Sequence, residues 1–380
     1  MFKRTRYAIV LLGASVTALL ALCVARHVPM ADLLVYRAEG VAAASGGGGL
    51  YGFTVTEWGL PATYPPFAAL VFVPLGWVPL TLLKGAFLLG NIALTGLLVQ
   101  LSCRAAGLRP APATLCAVTG GALWFEPVLQ TVLFGQINLG LACLILWDLG
   151  RPVGARGKGI ALGIATGVKL TPAVFIVYLF LRGRRREASY AVAGAAGTAA
   201  LGALVLPYAS REFWGRRVFE TGRVGKAWIV DNQALQGAVA RLLHTAEPGL
   251  LWAVPAGLVA LGGLCVAVRA RDDAHGVVLA ALTGLLVSPI SWSHHWVWCV
   301  PLLALLWSGG HRRTTVAVAF LFTARSMWLL PHQGGLDLHL PWWQQPLAAP
   351  YPVLGVGLLL AAGLRQPSAR SSSASTIRYA

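Results

Sequence analysis

Residues 29–37 read PMADLLVYR, and they open a segment that runs to the YPPF of residues 64–67. One strongly hydrophobic run precedes this segment and another follows it. Asp32 therefore stands just beyond an apolar run, where water meets lipid headgroups if that run crosses a membrane. A carboxylate in this position is unusual, and a glycine-rich run, GGGG at 46–49, follows it before the second apolar run begins. The side of the membrane on which this segment lies sets the sidedness of the rest of the chain.

The composition is that of a membrane protein. Charged residues make up 11% of the chain and hydrophobic residues 57%, and the mean hydropathy is +0.69. Soluble domains carry roughly 25% charged residues. Long apolar runs separated by short basic loops predict an all-α, polytopic membrane protein, whereas a barrel would show alternating segments of about ten residues. The net charge of +17 is concentrated in those loops, so no nucleic-acid partner is expected.

Twelve membrane crossings are predicted, with both termini in the cytoplasm. Lys3, Arg4 and Arg6 precede the first apolar run, which places the N-terminus inside and residues 29–66 outside. That run is longer than a usual signal-peptide core, so an uncleaved first span is favoured over a signal peptide. The predicted spans are residues 7–25, 67–80, 81–102, 111–125, 128–149, 159–181, 188–207, 250–268, 276–289, 297–307, 315–330 and 347–364.

Residues 1–364 are thus expected to form one transmembrane domain, and the Ser-rich residues 365–380 a disordered cytoplasmic tail. One conflict remains in the span count. The basic loops at 104–109 and 151–158 fall outside the membrane, against the charge rule. In the alternative arrangement the region around Lys169 is re-entrant, and both loops that flank it are cytoplasmic.

Candidate functional residues lie in the outer loops, because the predicted cytoplasmic loops carry little besides basic residues. Asp32 is a candidate catalytic acid or base, and the alternative is a solvated acid or a helix cap before Leu33. Glu39 and Glu57 are weaker candidates in the same segment. The pair His294-His295 is a second candidate, for hydrogen bonding to Asp32 or to a substrate. The alternative for the pair is an interfacial belt with its neighbouring tryptophans.

Three polar residues within apolar runs, Gln136, Asn138 and Lys169, are expensive in lipid and therefore predict either a packing network or a substrate pocket. In the second case Lys169 would lie near a phosphate. Asn232 could cap a short helix, and Arg241 on that helix could bind a phosphate bidentately. No metal site is predicted, because the six cysteines include no CxxC pair and the outer loops lack clustered carboxylates.

Six motifs occur in order along the chain. They are Asp32-Leu-x-Val-Tyr36-Arg37, Tyr64-Pro65-Pro66-Phe67, Gly135-Gln136-x-Asn138, Lys169-Leu-Thr-Pro172, Asn232-Gln233-x-Leu-x-Gly237-x-x-x-Arg241 and Ser288-Pro289-x-Ser291-Trp292-x-His294-His295. Each motif is weak alone, but together they resemble a known family, the actinobacterial polyprenol-phosphate-mannose-dependent α-1,2-mannosyltransferases. The resemblance runs from about Asp32 to Trp298.

The resemblance implies a GT-C-like helical bundle whose first outer loop carries the catalytic acid, Asp32, with His294 or His295 as its partner. It implies inverting transfer of mannose from polyprenyl-phosphate-mannose to a mannosylated lipid or glycan at the outer face of the cytoplasmic membrane. No cofactor is expected, and metal dependence is doubtful. The implied substrate-binding residues are Tyr36, Arg37, Tyr64, Gln136, Asn138, Lys169, Asn232, Gln233, Arg241, Ser291 and Trp292.

The sequence leaves two alternative functions open. The chain could be a flippase or another transporter of lipid-linked sugars, although it shows no internal repeat of the kind common in transporters. It could also be a GT-C transferase that uses another lipid-linked sugar, such as a pentose. The acceptor and the oligomeric state do not follow from the sequence.

Overall fold

The computed structural model describes residues 2–366, with side chains from Thr5 onward. Apart from Arg365 and Gln366, the predicted disordered tail lies outside the described residues. The described part is almost wholly helical, and its only strands are β1 (Thr54–Val55) and β2 (Leu60–Pro61), which pair antiparallel. The α-helices are α1 Phe2–Ala25, α2 Ala31–Ala44, α3 Pro66–Phe72, α4 Leu80–Ala105, α5 Pro112–Ala122, α6 Glu126–Phe134, α7 Asn138–Leu149, α8 Ile160–Val168, α9 Ala173–Leu181, α10 Arg185–Val205, α11 Pro207–Gly215, α12 Leu235–Leu242, α13 Leu250–Val268, α14 Asp273–Val287, α15 Cys299–Ser308, α16 Arg312–Ala324, α17 Gln345–Ala348 and α18 Pro350–Leu364.

Within the described residues, four helices are long and apolar enough to cross a membrane, namely Thr5–Ala25, α4, α10 and α13. The number rises to seven if each of three sharply bent helix pairs counts as one span. In lipid the backbone must satisfy its own hydrogen bonds, and helices do so within one segment. The prediction of an all-α membrane protein is therefore confirmed, and these four to seven candidate spans do not confirm the predicted count of twelve crossings.

The basic loops gather at one end of the bundle. The ammonium group of Lys158 lies 3.7 Å from the carboxylate of Glu187. Arg184 forms an ion pair of 2.8 Å with Asp273. The loop before α8, the start of α10 and the loop between α13 and α14 therefore meet at the same end.

The segment 159–181 enters and leaves at this one end. Helix α8 stops at Val168, Lys169 is extended (φ −146°, ψ 131°), and α9 begins after Pro172. Proline has no N–H for a helical hydrogen bond, and it disfavours helical geometry at the residue before it, so the break is local in origin. The crossing predicted over 159–181 is wrong, and the structure supports the re-entrant alternative with its tip at Lys169.

A second break, between α6 and α7, bends the chain by 119°. Gly135 ends α6 in the left-handed region (φ 66°), and a Cβ there would come within 2.8 Å of the Leu33 side chain. Glycine is the residue that accepts this conformation and this close approach to α2. Gln136 thus reaches the segment 29–66, which contains Asp32, and Asn138 begins α7.

Candidate functional site

Helix α2 fixes the position of Asp32. The residue before the helix is Met30, in the left-handed region, and no side chain caps the helix, so Asp32 is not its cap. Asp32 lies in the first turn, where a carboxylate interacts favourably with the helix dipole. A Cβ at Gly40 would collide with the carbonyl of Phe72, so α2 packs directly against the segment that follows α3. Asp32 is therefore held at the start of a helix, α2, that packs closely against its neighbour in the chain.

A cavity of about 840 Å³ opens beside Asp32. It is formed by residues from the segment 29–66, from both helix breaks and from the loops that follow α11, α14 and α16. Half of the predicted site residues line it, namely Asp32, Tyr64, Gln136, Lys169, Trp292, His294 and His295. The structure thus brings together residues that are up to 263 positions apart in the sequence.

Tyr36 and Tyr64 position Gln136. The hydroxyl of Tyr36 donates to Oε1 of Gln136 over 2.6 Å and lies 2.9 Å from the hydroxyl of Tyr64. The Tyr36 ring stacks on Phe72 at a centroid distance of 4.6 Å. Because Oε1 of Gln136 accepts the tyrosine proton, its amide nitrogen is left to donate, and Gln136 lowers the pKa of Asp32. Tyr36 therefore acts behind the cavity wall, through Gln136.

Lys169 joins the two helix breaks to the histidine pair. Its ammonium group donates to Oδ1 of Asn138 over 2.9 Å and lies 3.0 Å from Nε2 of His295. The amide nitrogen of Asn138 donates in turn to the backbone carbonyl of His294 over 3.2 Å. A single cation is thus fixed at the cavity wall by neutral partners, which leaves its charge uncompensated by direct contact.

The two histidines have different surroundings. His294 is 4% exposed, and neither of its ring nitrogens has a hydrogen-bond partner in the protein. Burial, together with the charge of Lys169, holds the pKa of His294 well below its ordinary value. His294 is therefore a neutral imidazole with two unpaired nitrogens at the cavity, whereas His295 is already bonded to Lys169.

The charge of Asp32 is tuned by its surroundings. The side chain is partly buried and lines the cavity. Burial raises the pKa of Asp32 to about 6, and the charge of Asp231 raises it further, while Gln136 and the charge of Lys169 oppose this. At neutral pH Asp32 is ionised, and its basicity is greater than that of an ordinary aspartate.

Asn232, Gln233 and Ser291 organise the loops and do not line the large cavity. Oδ1 of Asn232 accepts the backbone N–H of Ser291 over 2.9 Å, and Gln233 donates its backbone N–H to the Ser291 carbonyl over 2.8 Å. Asn232 also forms an antiparallel bridge with Trp292. These contacts attach the loop after α11 to the loop after α14, which sets the position of Trp292 and of the histidines.

Arg241 occupies a different place from the one predicted. It is fully buried (0% exposed), does not line the cavity, and donates to backbone carbonyls. The acceptors are the carbonyls of Trp228, Ile229, Asn232 and Ala348, at 2.8 to 3.3 Å. A phosphate contact for Arg241 finds no support in this geometry. Its planar guanidinium group instead holds in place the loop that precedes Asn232.

We expect Arg241→Met to lower the stability of the protein rather than its affinity for a phosphate. The change leaves several buried carbonyls unpaired, at about 1–3 kcal/mol for each such group. The measurement is thermal unfolding of the purified protein in detergent, with Arg211→Met, the loss of an exposed arginine, as control. An unchanged melting temperature combined with a higher donor KM would restore the phosphate role.

Arg37 and Glu39 also lie away from the large cavity. Arg37 donates to the carbonyl of Gly76 over 3.3 Å. Glu39 is 1% exposed and accepts the backbone N–H of Thr63 over 3.2 Å. In the part of the chain that the structure describes, no three His, Cys, Asp or Glu side chains come together as a metal site. That transfer needs no metal stays a prediction of the sequence.

Four residues of the cavity wall that were not predicted as site residues carry polar or aromatic side chains from two loops, namely Asp231, Trp328, His332 and Asp337. Asp231 directly precedes a predicted motif. The other three lie in the loop after α16, whose richness in tryptophan and proline was the available signal. No spacing rule connects that loop with Asp32, because the contact is made only in three dimensions.

The family model described as Glycosyltransferase family 87 matches residues 62–289. A polyprenol-phosphate-mannose-dependent alpha-(1-2)-phosphatidylinositol mannoside mannosyltransferase of Mycobacterium tuberculosis is 35% identical over 346 residues, which cover 84% of this chain and 80% of that protein. A corresponding pentamannoside mannosyltransferase of the same species is 37% identical over 321 residues, or 82% and 74% of the two chains. A mannoside mannosyltransferase of Mycolicibacterium smegmatis is 33% identical over 337 residues, or 80% and 76%. No solved structure shows a significant match.

Proposed function

The chain belongs to glycosyltransferase family 87, and from this we propose that it transfers mannose from polyprenyl-phosphate-mannose to a hydroxyl of a phosphatidylinositol mannoside, forming an α-1,2 linkage. The names of its relatives support the donor, the acceptor and the linkage. One structural observation carries the proposal further. Asp32, Lys169, His294 and His295 line a single cavity although they come from three distant parts of the chain.

Asp32 is the proposed base. In an inverting transfer the acceptor hydroxyl attacks the anomeric carbon on the face opposite the leaving phosphate, and its proton passes to the carboxylate as the new C–O bond forms. The raised pKa of Asp32, about 6, suits this task because a stronger base accepts the proton more readily while remaining ionised at neutral pH. The neutral ring of His294, with both nitrogens unpaired, is placed to orient a sugar hydroxyl.

Lys169 is the proposed partner of the leaving group. As the anomeric C–O bond breaks, the donor's phosphodiester becomes a monoester and gains negative charge. A fixed cation nearby stabilises that charge more in the transition state than in the bound substrate. Because the donor is already activated, the proposed reaction needs no cofactor.

We further propose that the reaction takes place at the outer face of the cytoplasmic membrane, within a GT-C-like bundle of membrane helices. The clustering of the basic loops at the end of the bundle where Lys158 and Arg184 lie supports this orientation. Lipid tails of donor and acceptor would contact the exposed apolar faces of the helices. In this arrangement only the sugars and the phosphate need to enter the cavity.

The test is a transfer assay with purified protein in detergent. The protein is incubated with radiolabelled polyprenyl-phosphate-mannose and a phosphatidylinositol mannoside, and the product is digested with a linkage-specific α-mannosidase. We expect a labelled lipid that carries one additional α-1,2-linked mannose. Movement of donor lipid across intact vesicles without any transfer in detergent would instead identify a transporter.

The pH dependence of this transfer follows from Asp32. The base acts only when it is unprotonated, so kcat/KM should fall as the pH is lowered through about 6. Gln136→Leu removes an amide that lowers the pKa of Asp32, and it should shift this acid limb to higher pH. The measurement is a pH–rate profile for both proteins. An acid limb that does not move in the variant would assign it to another group.

A further inference from the structure

The cavity contains a second carboxylate that the proposed transfer does not use. Asp231 lines the same cavity as Asp32, and its charge raises the pKa of Asp32. An inverting transfer to an alcohol needs one base. A carboxylate at the cavity wall loses water when a ligand fills the cavity, so it favours a ligand that supplies hydrogen-bond donors.

Hydrogen bonds hold Asp231 and the residue before it in place. Its Oδ1 accepts the backbone N–H of Ser293 over 3.1 Å, and its own carbonyl accepts the same N–H over 2.8 Å. The preceding residue, Val230, donates its N–H over 2.9 Å to Oδ2 of Asp337, which is 1% exposed. Asp337 is therefore a positioning residue for this loop. Asp231 itself remains partly exposed, toward the cavity.

Two aromatic side chains, Trp328 and His332, line another part of the same cavity. The indole nitrogen of Trp328 donates to Oε1 of Glu126 over 2.9 Å, and Oε2 of Glu126 accepts from the hydroxyl of Tyr351 over 2.7 Å. The ring of His332 packs edge-on against Trp328 at 5.7 Å. Since the indole N–H of Trp328 is already used, what this side chain offers the cavity is its ring, an apolar surface suited to the C–H groups of a sugar.

The charged side chains that line the cavity favour different ligands in different parts of it. Among the described residues that line it, Lys169 is the only lysine or arginine. Asp231 and Asp337 disfavour a phosphate beside them, whereas a carboxylate accepts hydrogen bonds from the hydroxyls of a neutral sugar. The donor phosphate therefore belongs near Lys169, and an uncharged sugar belongs near Asp231.

We propose that Asp231, Trp328 and His332 form the subsite for the terminal mannose of the acceptor, with Asp231 accepting hydrogen bonds from its hydroxyls. This subsite rests on the proposed function. The hydroxyl at C2 is the nucleophile and is directed to Asp32, so Asp231 takes one or both of the hydroxyls at C3 and C4. The outer loop after α16 thereby determines which acceptor the enzyme uses.

The test compares wild type with Asp231→Asn, an isosteric change whose amide oxygen still accepts the Ser293 N–H. We expect the acceptor KM to rise about 10- to 100-fold, as for the loss of a hydrogen bond to a charged group, and the donor KM to stay within about twofold. Glu57→Gln, which neutralises an exposed acid of the outer segment, is the control and should change neither constant.

Acceptors whose terminal mannose lacks the 3- or the 4-hydroxyl identify the contact. Wild type should lose activity with at least one of them, and Asp231→Asn should show no further loss with that same analogue. An unchanged acceptor KM, a raised donor KM or losses that multiply for every analogue would each overturn the subsite. If wild type transfers no mannose to the intact acceptor, the proposed function fails first, and the subsite fails with it.

Discussion

Asp32→Asn is expected to abolish measurable mannosyl transfer while leaving the donor bound. The amide has nearly the shape of the carboxylate, so the packing of α2 and the cavity are retained, but it cannot accept the proton of the attacking hydroxyl. General-base catalysis contributes about 10²–10⁴-fold. We expect kcat to fall by at least that factor, because the Asp32 carboxylate is the only base that the proposed mechanism uses. The measurement is single-turnover transfer with radiolabelled donor.

Two controls separate this loss from misfolding. Glu57→Gln removes an exposed carboxylate from the same outer segment and should retain wild-type kcat. Donor binding by Asp32→Asn, measured by equilibrium binding of the labelled lipid, should stay within a few-fold of wild type. Transfer by Asp32→Asn at near the wild-type rate would remove Asp32 from the role of base and leave Asp231 as the carboxylate to examine.

Hydropathy located the membrane helices well, because a helix in lipid satisfies its own backbone hydrogen bonds and so depends little on its neighbours. The predicted span 250–268 matches α13 at both ends, and the span 188–207 is shifted by two or three residues from α10. The reversal at Lys169 could not be read in this way. A break at Pro172 is visible in the sequence, but the return of the chain to the same end shows only in the three-dimensional contact between Lys158 and Glu187.

The candidate site could be predicted where a polar or charged residue stands within an apolar run or directly after one. Lys169 and Gln136 interrupt apolar runs, and Asp32 follows one, so each required an explanation. Arg241 was singled out by its place on a short helix and by a motif, yet its partners are backbone carbonyls, and a sequence does not show where carbonyls remain unpaired. Trp328 is the opposite case, since a tryptophan at a membrane boundary needs no special explanation.

Lys169→Met is expected to give the second large loss, about 10²–10³-fold in kcat, as for removal of a single group that stabilises developing charge. Methionine keeps the length and the apolar stem of lysine and removes the cation that faces the departing phosphate. The charge on that phosphate increases during the reaction, so kcat should fall more than donor affinity. The measurement is steady-state transfer over a range of donor concentrations.

The alternative for Lys169 is that it only holds Asn138 and His295 in place, and a matched variant distinguishes the two roles. Asn138→Ala breaks the 2.9 Å hydrogen bond to Lys169 and the bond to the His294 carbonyl but keeps the positive charge. If the charge matters most, Asn138→Ala should lose no more than about tenfold in kcat, consistent with the loss of neutral hydrogen bonds. Lys226→Met removes an exposed lysine that does not line the cavity and should have no effect. Equal losses in Asn138→Ala and Lys169→Met would mean that Lys169 positions its neighbours and that the leaving phosphate is stabilised by another group.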